Sequence, residues 1–354
     1  MKKTSNLLLF LLAGIMAFTA SANSSRDNLT TTHRPLIEEY TGTWCGWCVR
    51  GYVGMELLRE TFGGDFIGVA IHNDDAMAIL PTSQYPNSIS GFPTAYVERS
   101  NEVDPLYGTG NTSGGIVSYM QKLASRESSA AIGVAAEWTS EDRTDIDVHV
   151  STFFTSSNST GNYAIEVMLI ADDLYGSTSD WYQSNYYRQY ASYYADDPYL
   201  GPWTTQPSVI RNLHFNDVLV GTSGVVSGSL PTNIVANEIY DFDYTFTLSS
   251  LPNPSLIQNK DNLHVIAIIV NTSTHKVINA NRSYISEYVP VVPVVPGDVN
   301  EDGVVNIADV TDLIDYILSN GTTIINNANA DVDNDENITI ADVTSIIDLI
   351  LGAN

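Results

Sequence analysis

The chain has 354 residues, 44% of them hydrophobic and 16% charged, which allows two or three domains and excludes disorder as the dominant state. Its 15 Lys and Arg against 41 Asp and Glu give a net charge of −26, a field that repels phosphate backbones and argues against nucleic acid as a partner. With Cys45 and Cys48 its only 2 cysteines, it has neither a disulfide framework nor a Cys-rich zinc cage.

Lys2 and Lys3 precede an apolar run from Leu7 to Phe18, and Ala20, Ser21 and Ala22 supply the small residues of a signal-peptidase site. Residues 1–22 are therefore expected to be a signal peptide, with Asn23 opening the exported chain. The run is shorter than the ~20 residues of a spanning helix, so no membrane span is expected. Export is expected to put the protein outside the cytoplasm, extracellular, at the cell surface or in the periplasm, where disulfides persist. Residues 23–34 are polar and read as a disordered leader.

Over residues 35–126, short apolar runs (Leu36–Tyr40, Phe66–Ile71, Thr94–Val97) alternate with helical patterns (Val49–Phe62, Ile116–Leu123), which predicts a small α/β domain. From Ala130 to Tyr288 a period of two takes over. Ile146–Val150, Tyr163–Val167, Phe242–Phe246 and Leu263–Ala267 read as half-buried strands, so an antiparallel β-sandwich is expected over residues 130–288. Residues 289–296, rich in Pro and Val, form a stiff linker, and residues 297–354 a separate acidic module. The expected class is multidomain α+β.

The CxxC ends a strand-like run and opens a helix-like one. Free N–H groups at a helix start stabilise a thiolate at Cys45, and Arg50 adds to this. Cys45 is then the exposed nucleophile, and Cys48, one turn into the helix, the resolving thiol. A structural disulfide is the competing reading; a metal site lacks ligands, because the six histidines are scattered.

The run from Leu36 to Cys48, together with Gly91, Phe92, Pro93 and Thr94, resembles the thioredoxin superfamily, and within it a group of exported, outer-membrane-related proteins of Gram-negative bacteria. The resemblance implies a cis-proline at Pro93, a substrate-facing backbone at Phe92 and a buried acid at Glu39. Trp44 and Trp47 flank the cysteines and join Phe92 as expected substrate contacts. Trp47 stands where reductant-type members carry proline, which leaves the direction of electron flow open.

Six of the 20 tyrosines crowd into Trp181–Tyr194. Such rings suit recognition of a peptide or sugar; the simpler expectation is a loop or short helix covering one face of the sandwich.

The acidic module repeats itself. Asp298 to Asp309 aligns with Asp331 to Asp342, and both runs continue into Val-Thr. Loop positions 1, 3, 5, 7, 9 and 12 suit Ca²⁺. The first loop offers Asp298, Asn300, Asp302, the Val304 carbonyl, Asn306 and Asp309, with Gly303 at the sharp turn. The second offers Asp331, Asp333, Asp335, the Asn337 carbonyl, Thr339 and Asp342, but places Glu336 where glycine is preferred, so weaker binding is expected there. Val310, Leu313, Ile314, Ile317 and Leu318, mirrored by Val343, Ile346, Ile347, Ile350 and Leu351, predict one apolar helix stripe per loop. Tandem loop–helix units of this kind resemble a dockerin. That implies a cohesin-like partner, met through Ile307, Ala308, Ile340 and Ala341.

Two functions follow. One is an exported thiol–disulfide oxidoreductase acting on a protein substrate and tethered through a calcium-binding dockerin. The other is a non-enzymatic surface binding protein on a thioredoxin-like scaffold with an aromatic ligand site.

Overall fold

The computed structural model describes residues 25–81, 84, 87–288, 295–319, 321–322, 325, 327–335 and 337–352. The expected signal peptide, residues 23 and 24 of the leader, most of the linker and Glu336 lie outside them. The chain divides into two compact units, Met1–Val289 and Pro290–Asn354.

In the first unit the strands are β1 (Thr30–Thr32), β2 (Leu36–Thr41), β3 (Ile67–His72), β4 (Thr94–Val97), β5 (Asn101–Val103), β6 (Glu127–Trp138), β7 (Asp145–Phe154) and β8 (Tyr163–Ala171). After them come β9 (Gln183–Ser184), β10 (Val209–Ile210), β11 (Val218–Thr222), β12 (Tyr240–Thr247), β13 (Leu263–Asn271) and β14 (Val277–Ser286). Helix α1 (Val49–Phe62) joins β2 to β3, α2 (Gly115–Ala124) follows β5, and the one-turn α3 (Ala191–Tyr194) follows β9. β1 lies along the expected leader and pairs with β6, so part of that segment is ordered.

Twelve strands form one sheet in the order β12-β7-β6-β14-β13-β8-β11-β3-β2-β4-β5, with β1 beside β6. Most pairs are antiparallel; β2–β3, β3–β11 and β6–β14 are parallel. β11 links the regions predicted as separate. Val218 pairs with Ala70 of β3, and the Ala70 N–H donates to the Asp217 carbonyl at 2.7 Å.

The sheet doubles over near β14. Ile132 and Val134 of β6 and Ile146 and Val148 of β7 pack there on Val167 and Leu169 of β8 and Val265 and Ala267 of β13, two layers with one core. The reverse faces of β8 and β13, through Met168, Ile170, Ile266 and Ile268, join Leu36 and Tyr40 of β2 and Ile67, Val69 and Ile71 of β3. Two of the expected half-buried strands are thus buried on both faces, because material covers them on either side. β12, at the sheet edge, keeps the predicted alternation. Behind β2, Ile37 packs on Met55 and Leu58 of α1 and Ile116 and Met120 of α2.

The second unit is described on its own. Helix α4 (Ile307–Leu318) follows the first loop, and α6 (Ile340–Leu351) the second, after the one-turn α5 (Asn327–Ala330). Val299, Val310, Leu313, Ala330, Val343 and Ile346 form its core. Leu318, Ile347, Ile350 and Leu351, expected on the apolar stripe, are exposed: they lie in the later turns of their helices, where so small a core offers no cover.

Candidate functional site

The period of two along β2 sends adjacent acids to opposite faces. Glu39 points toward α1 and the cysteines, whereas Glu38 points to the reverse face and pairs with Arg99. The loop after β2 then turns through Cys45 to Cys48, with the Cys48 N–H donating to the Cys45 carbonyl at 3.1 Å. Helix α1 begins at Val49 with Cys48 as its N-cap. This corrects the expectation that Cys48 lies one turn inside the helix. Both thiols are free.

Cys45 is 7% exposed and Cys48 0%, so Cys45 is not the open nucleophile expected from the sequence. Its Sγ donates to the Phe92 carbonyl at 3.6 Å, and Pro93 follows through a cis peptide bond. The Cys45 thiol is lowered to about 7, first by its hydrogen bond with Cys48 and then, against the opposing effect of burial, by the Trp47 and Cys48 N–H groups and the Arg50 charge. Burial, followed by the hydrogen bond with Cys45 and then the Cys45 and Glu39 charges, pushes Cys48 well above the ordinary thiol value. Burial also raises the Glu39 carboxyl to about 8, and its Oε1 has no hydrogen-bond partner. The pair is therefore polarised, with a low-pKa thiol in front and a high-pKa thiol backed by a buried acid that titrates close to it.

What covers Cys45 comes from far along the chain. Between β8 and β11 the tyrosine-rich segment lies across the CxxC loop as a strap. The Ser184 N–H donates to the Thr43 carbonyl at 2.7 Å, the Tyr186 N–H to the Gly46 carbonyl at 3.0 Å, and Gln183 Nε2 to the Cys45 carbonyl at 2.9 Å. Trp47 stacks on Tyr190 at 5.0 Å and meets Tyr186 and Tyr187 edge-on. A Cβ on Gly46 would run into the Tyr186 ring. The tyrosines thus cover the thiol loop and not a sandwich face, and Trp47 is engaged by the strap. Trp44, 47% exposed and edge-on to Phe92 at 5.3 Å, remains open to a partner.

Sequence reasoning also missed Asp75 and His72. Asp75 Oδ2 accepts the Thr43 N–H at 2.9 Å and lies 2.7 Å from His72 Nδ1, which fixes the start of the loop. Their spacing carries no signal; the density of aromatics in 181–194 was the one cue to the strap.

In the second unit, Asp298 accepts the Asp302 and Gly303 N–H groups, Asn300 accepts that of Asp302, and Asp302 that of Val304. Gly303 sits at φ 84°, in the left-handed region. Asp309 is fully buried, and its oxygens accept the Asn300 and Asn306 N–H groups. The second loop repeats the design: Asp342 accepts the Val332 and Thr339 N–H groups, and Asp335 that of Asn337. Asn306 and Thr339 cap α4 and α6 through bonds to Ala308 and Ala341. Asp331, Asp333 and Asp335 bring ligand oxygens within 4.8 Å of one another. The module has twelve acidic residues in 297–354 and no Lys or Arg, so this crowding of hard oxygen donors fits Ca²⁺. Ile307 and Ile340, each just after a loop, are 69% and 66% exposed, with Ala308 and Ala341 exposed beside them.

Residues 296–351 match the Dockerin type I domain family, so the chain carries a calcium-binding docking module whose partner class is the cohesin. No curated protein sequence matches the chain at a significant level. Among solved structures, HBP35 of Porphyromonas gingivalis overlaps 75% of this chain and 81% of its own at 13% identity and a TM-score of 0.49. A domain of the outer membrane lipoprotein Omp28 from Porphyromonas gingivalis overlaps 46% of this chain and 92% of its own at 17% identity and a TM-score of 0.25. Among the described residues no helix is long and apolar enough to cross a membrane.

Proposed function

We propose that the protein is an exported thiol–disulfide exchange protein held in an extracellular or surface assembly by its dockerin. The observation that carries this reading is the polarised pair: a Cys45 thiol lowered to about 7 beside a Cys48 thiol held high, with the Phe92 carbonyl 3.6 Å from Cys45 Sγ. The order β3-β2-β4-β5, with the CxxC ahead of α1 and Phe92-Pro93 ahead of β4, supports a thioredoxin-like core in residues 35–126. The doubled-over remainder supports a sandwich in residues 130–288, and the sequence of residues 1–22 supports export.

In the exchange, the Cys45 thiolate attacks one sulfur of a partner disulfide. That S–S bond breaks, the partner's second sulfur leaves as a thiolate and takes a proton from water, and a mixed disulfide forms. Cys48 then gives up its proton and attacks Cys45 Sγ, which releases the partner's first sulfur. The partner is reduced by two electrons and the Cys45–Cys48 pair is oxidised; the reverse sequence oxidises a partner dithiol. Burial makes Glu39 a proton acceptor of the right strength for Cys48. Trp44 and Phe92 form the substrate edge.

In the dockerin, Asp298, Asn300, Asp302, Val304, Asn306 and Asp309 hold one Ca²⁺, and Asp331, Asp333, Asp335, Asn337, Thr339 and Asp342 a second, weaker one. Ile307, Ala308, Ile340 and Ala341 meet the cohesin. A second reading, a binding protein that uses the thiol domain as scaffold, is favoured by the strap over Cys45.

Oxidised glutathione separates the two. The full chain carrying Cys48→Ala should accumulate glutathione on Cys45, whereas the wild type passes through to its own disulfide. Equal labelling of Cys48 in Cys45→Ala would overturn the assignment of roles. No labelling of either variant would overturn the exchange reading in favour of the scaffold.

A further inference from the structure

On the face of the sheet opposite the thiols lies a cavity of 290 Å³ that the proposed exchange does not use. Ile71, Leu80, Met168, Leu219 and Val225 supply apolar walls. Its floor is charged and buried. Arg99 donates from Nε and Nη2 to Glu38 at 3.0 and 2.7 Å and from Nη1 to Glu166 at 2.6 Å, and Thr222 Oγ1 donates to Glu166 Oε1 at 3.0 Å. The three charged side chains are only 1–8% exposed.

Two carboxylates share one guanidinium, so the three buried side chains carry one carboxylate in excess beneath apolar walls, with His275 the other titratable group in the lining. Holding that excess there is costly, because charge removed from water must be matched. Burial raises the Glu38 carboxyl, so without a cation beside it this floor tends to take up a proton rather than keep both charges. The backbone is strained at the same spot: Glu98 and Arg99 take φ 54° and 53° in succession, a left-handed pair that non-glycine residues rarely form. The ion contacts of Arg99 hold that turn. An anion would be repelled by the excess carboxylate. A neutral apolar molecule would leave that charge unmatched. A cation with N–H donors and an apolar body satisfies both floor and walls.

We propose that this cavity binds a primary ammonium compound with an apolar body, the ammonium lodged against Glu38 and Glu166 and the body against Ile71, Met168 and Leu219. The site stands independently of the thiol chemistry.

Calorimetric titration of the full chain with phenethylammonium, against its neutral counterpart 2-phenylethanol, tests the idea. Saturable one-to-one binding of the amine is expected, at least tenfold tighter than the alcohol. Glu166→Gln, which leaves Arg99 a single matched partner, should weaken the amine at least tenfold and leave the alcohol unchanged. Val225→Trp, at the exposed rim, should block both ligands without disturbing the fold and decides the matter if Glu166→Gln does not fold. Absence of amine binding, equal binding of the alcohol, or a Val225→Trp protein that binds like the wild type would each overturn the proposal.

Discussion

The thiol pair and the calcium loops are both short motifs dense in reactive groups, yet they are assembled in opposite ways. Each loop takes its oxygens from twelve successive residues, and its internal hydrogen bonds span no more than ten or so positions, as in Asp309 with Asn300 and Asn306. The thiol site draws on Glu39, Cys45 and Cys48, on Phe92 and Pro93, and on Gln183 and Tyr186, more than a hundred residues beyond the cysteines. A site made locally is only as stable as its ligand makes it, whereas a site made at long range inherits the stability of the whole sheet. Perturbation should therefore act on the two by different routes.

Removal of calcium is the sharpest test. Chelation should abolish the helical circular dichroism of α4 and α6, because the small apolar core of the second unit cannot by itself offset conformational entropy and twelve clustered acids. Amide exchange in β8 and β13 should be unaffected; joint loss of protection would erase the contrast. Next in size, Asp309→Ala leaves the Asn300 and Asn306 N–H groups without their acceptor and should destabilise the second unit by about 2–4 kcal/mol, measured by denaturant unfolding of the calcium-loaded protein.

The thiol site should respond instead to pH. Glu39 has its folded value raised to about 8, so the folded state holds an extra proton between that value and the lower one of the unfolded chain. Its contribution is fully present below the unfolded value and is lost as pH rises through about 8. Glu39→Gln should flatten the fall in first-unit stability between pH 5 and 8 by about 2 kcal/mol, with the residual slope coming from Asp217, which burial also raises to about 8. A slope identical to the wild type would show that Glu39 does not hold the proton.

Smaller effects should come from the two glycine positions. Gly46→Ala forces the Tyr186 ring aside and should cost about 1–2 kcal/mol while accelerating alkylation of Cys45 by iodoacetamide. At loop position 6, Glu336→Gly should strengthen the second calcium site by about 1 kcal/mol, seen as a several-fold rise in affinity by calorimetry, because the matching Gly303 sits at φ 84°.

These contrasts also explain what was legible in the sequence. The helix over Val49–Phe62 and the strand over Thr94–Val97 form with the bounds the sequence predicts, because hydrophobic period and neighbouring turns specify such elements locally. The expectation of a buried acid at Glu39 rests on the family resemblance and not on any local pattern, since Glu38 beside it carries the same charge. The double burial of β8 and β13 was not legible, since periodicity reports one buried face and cannot register a second layer. Nor was the strap, because no local pattern says that Tyr186 lies on Gly46. Arg99 was equally silent: a lone arginine in a hairpin turn gives no hint of Glu38 and Glu166 beneath it.

The insertion of β11 against β3 bears on how this protein can be cut and rejoined. β3 meets β2 on one side and, through Ala70, the backbone around Asp217 and Val218 on the other. A fragment ending near residue 126 would bare that side of β3 together with the apolar faces of Ile67, Val69 and Ile71 that β8 and β13 now cover, and an open apolar edge recruits other chains. The thiol segment is therefore not a cassette that can be lifted out and grafted elsewhere, whereas the calcium unit, compact in its own right, is the portable part of the molecule.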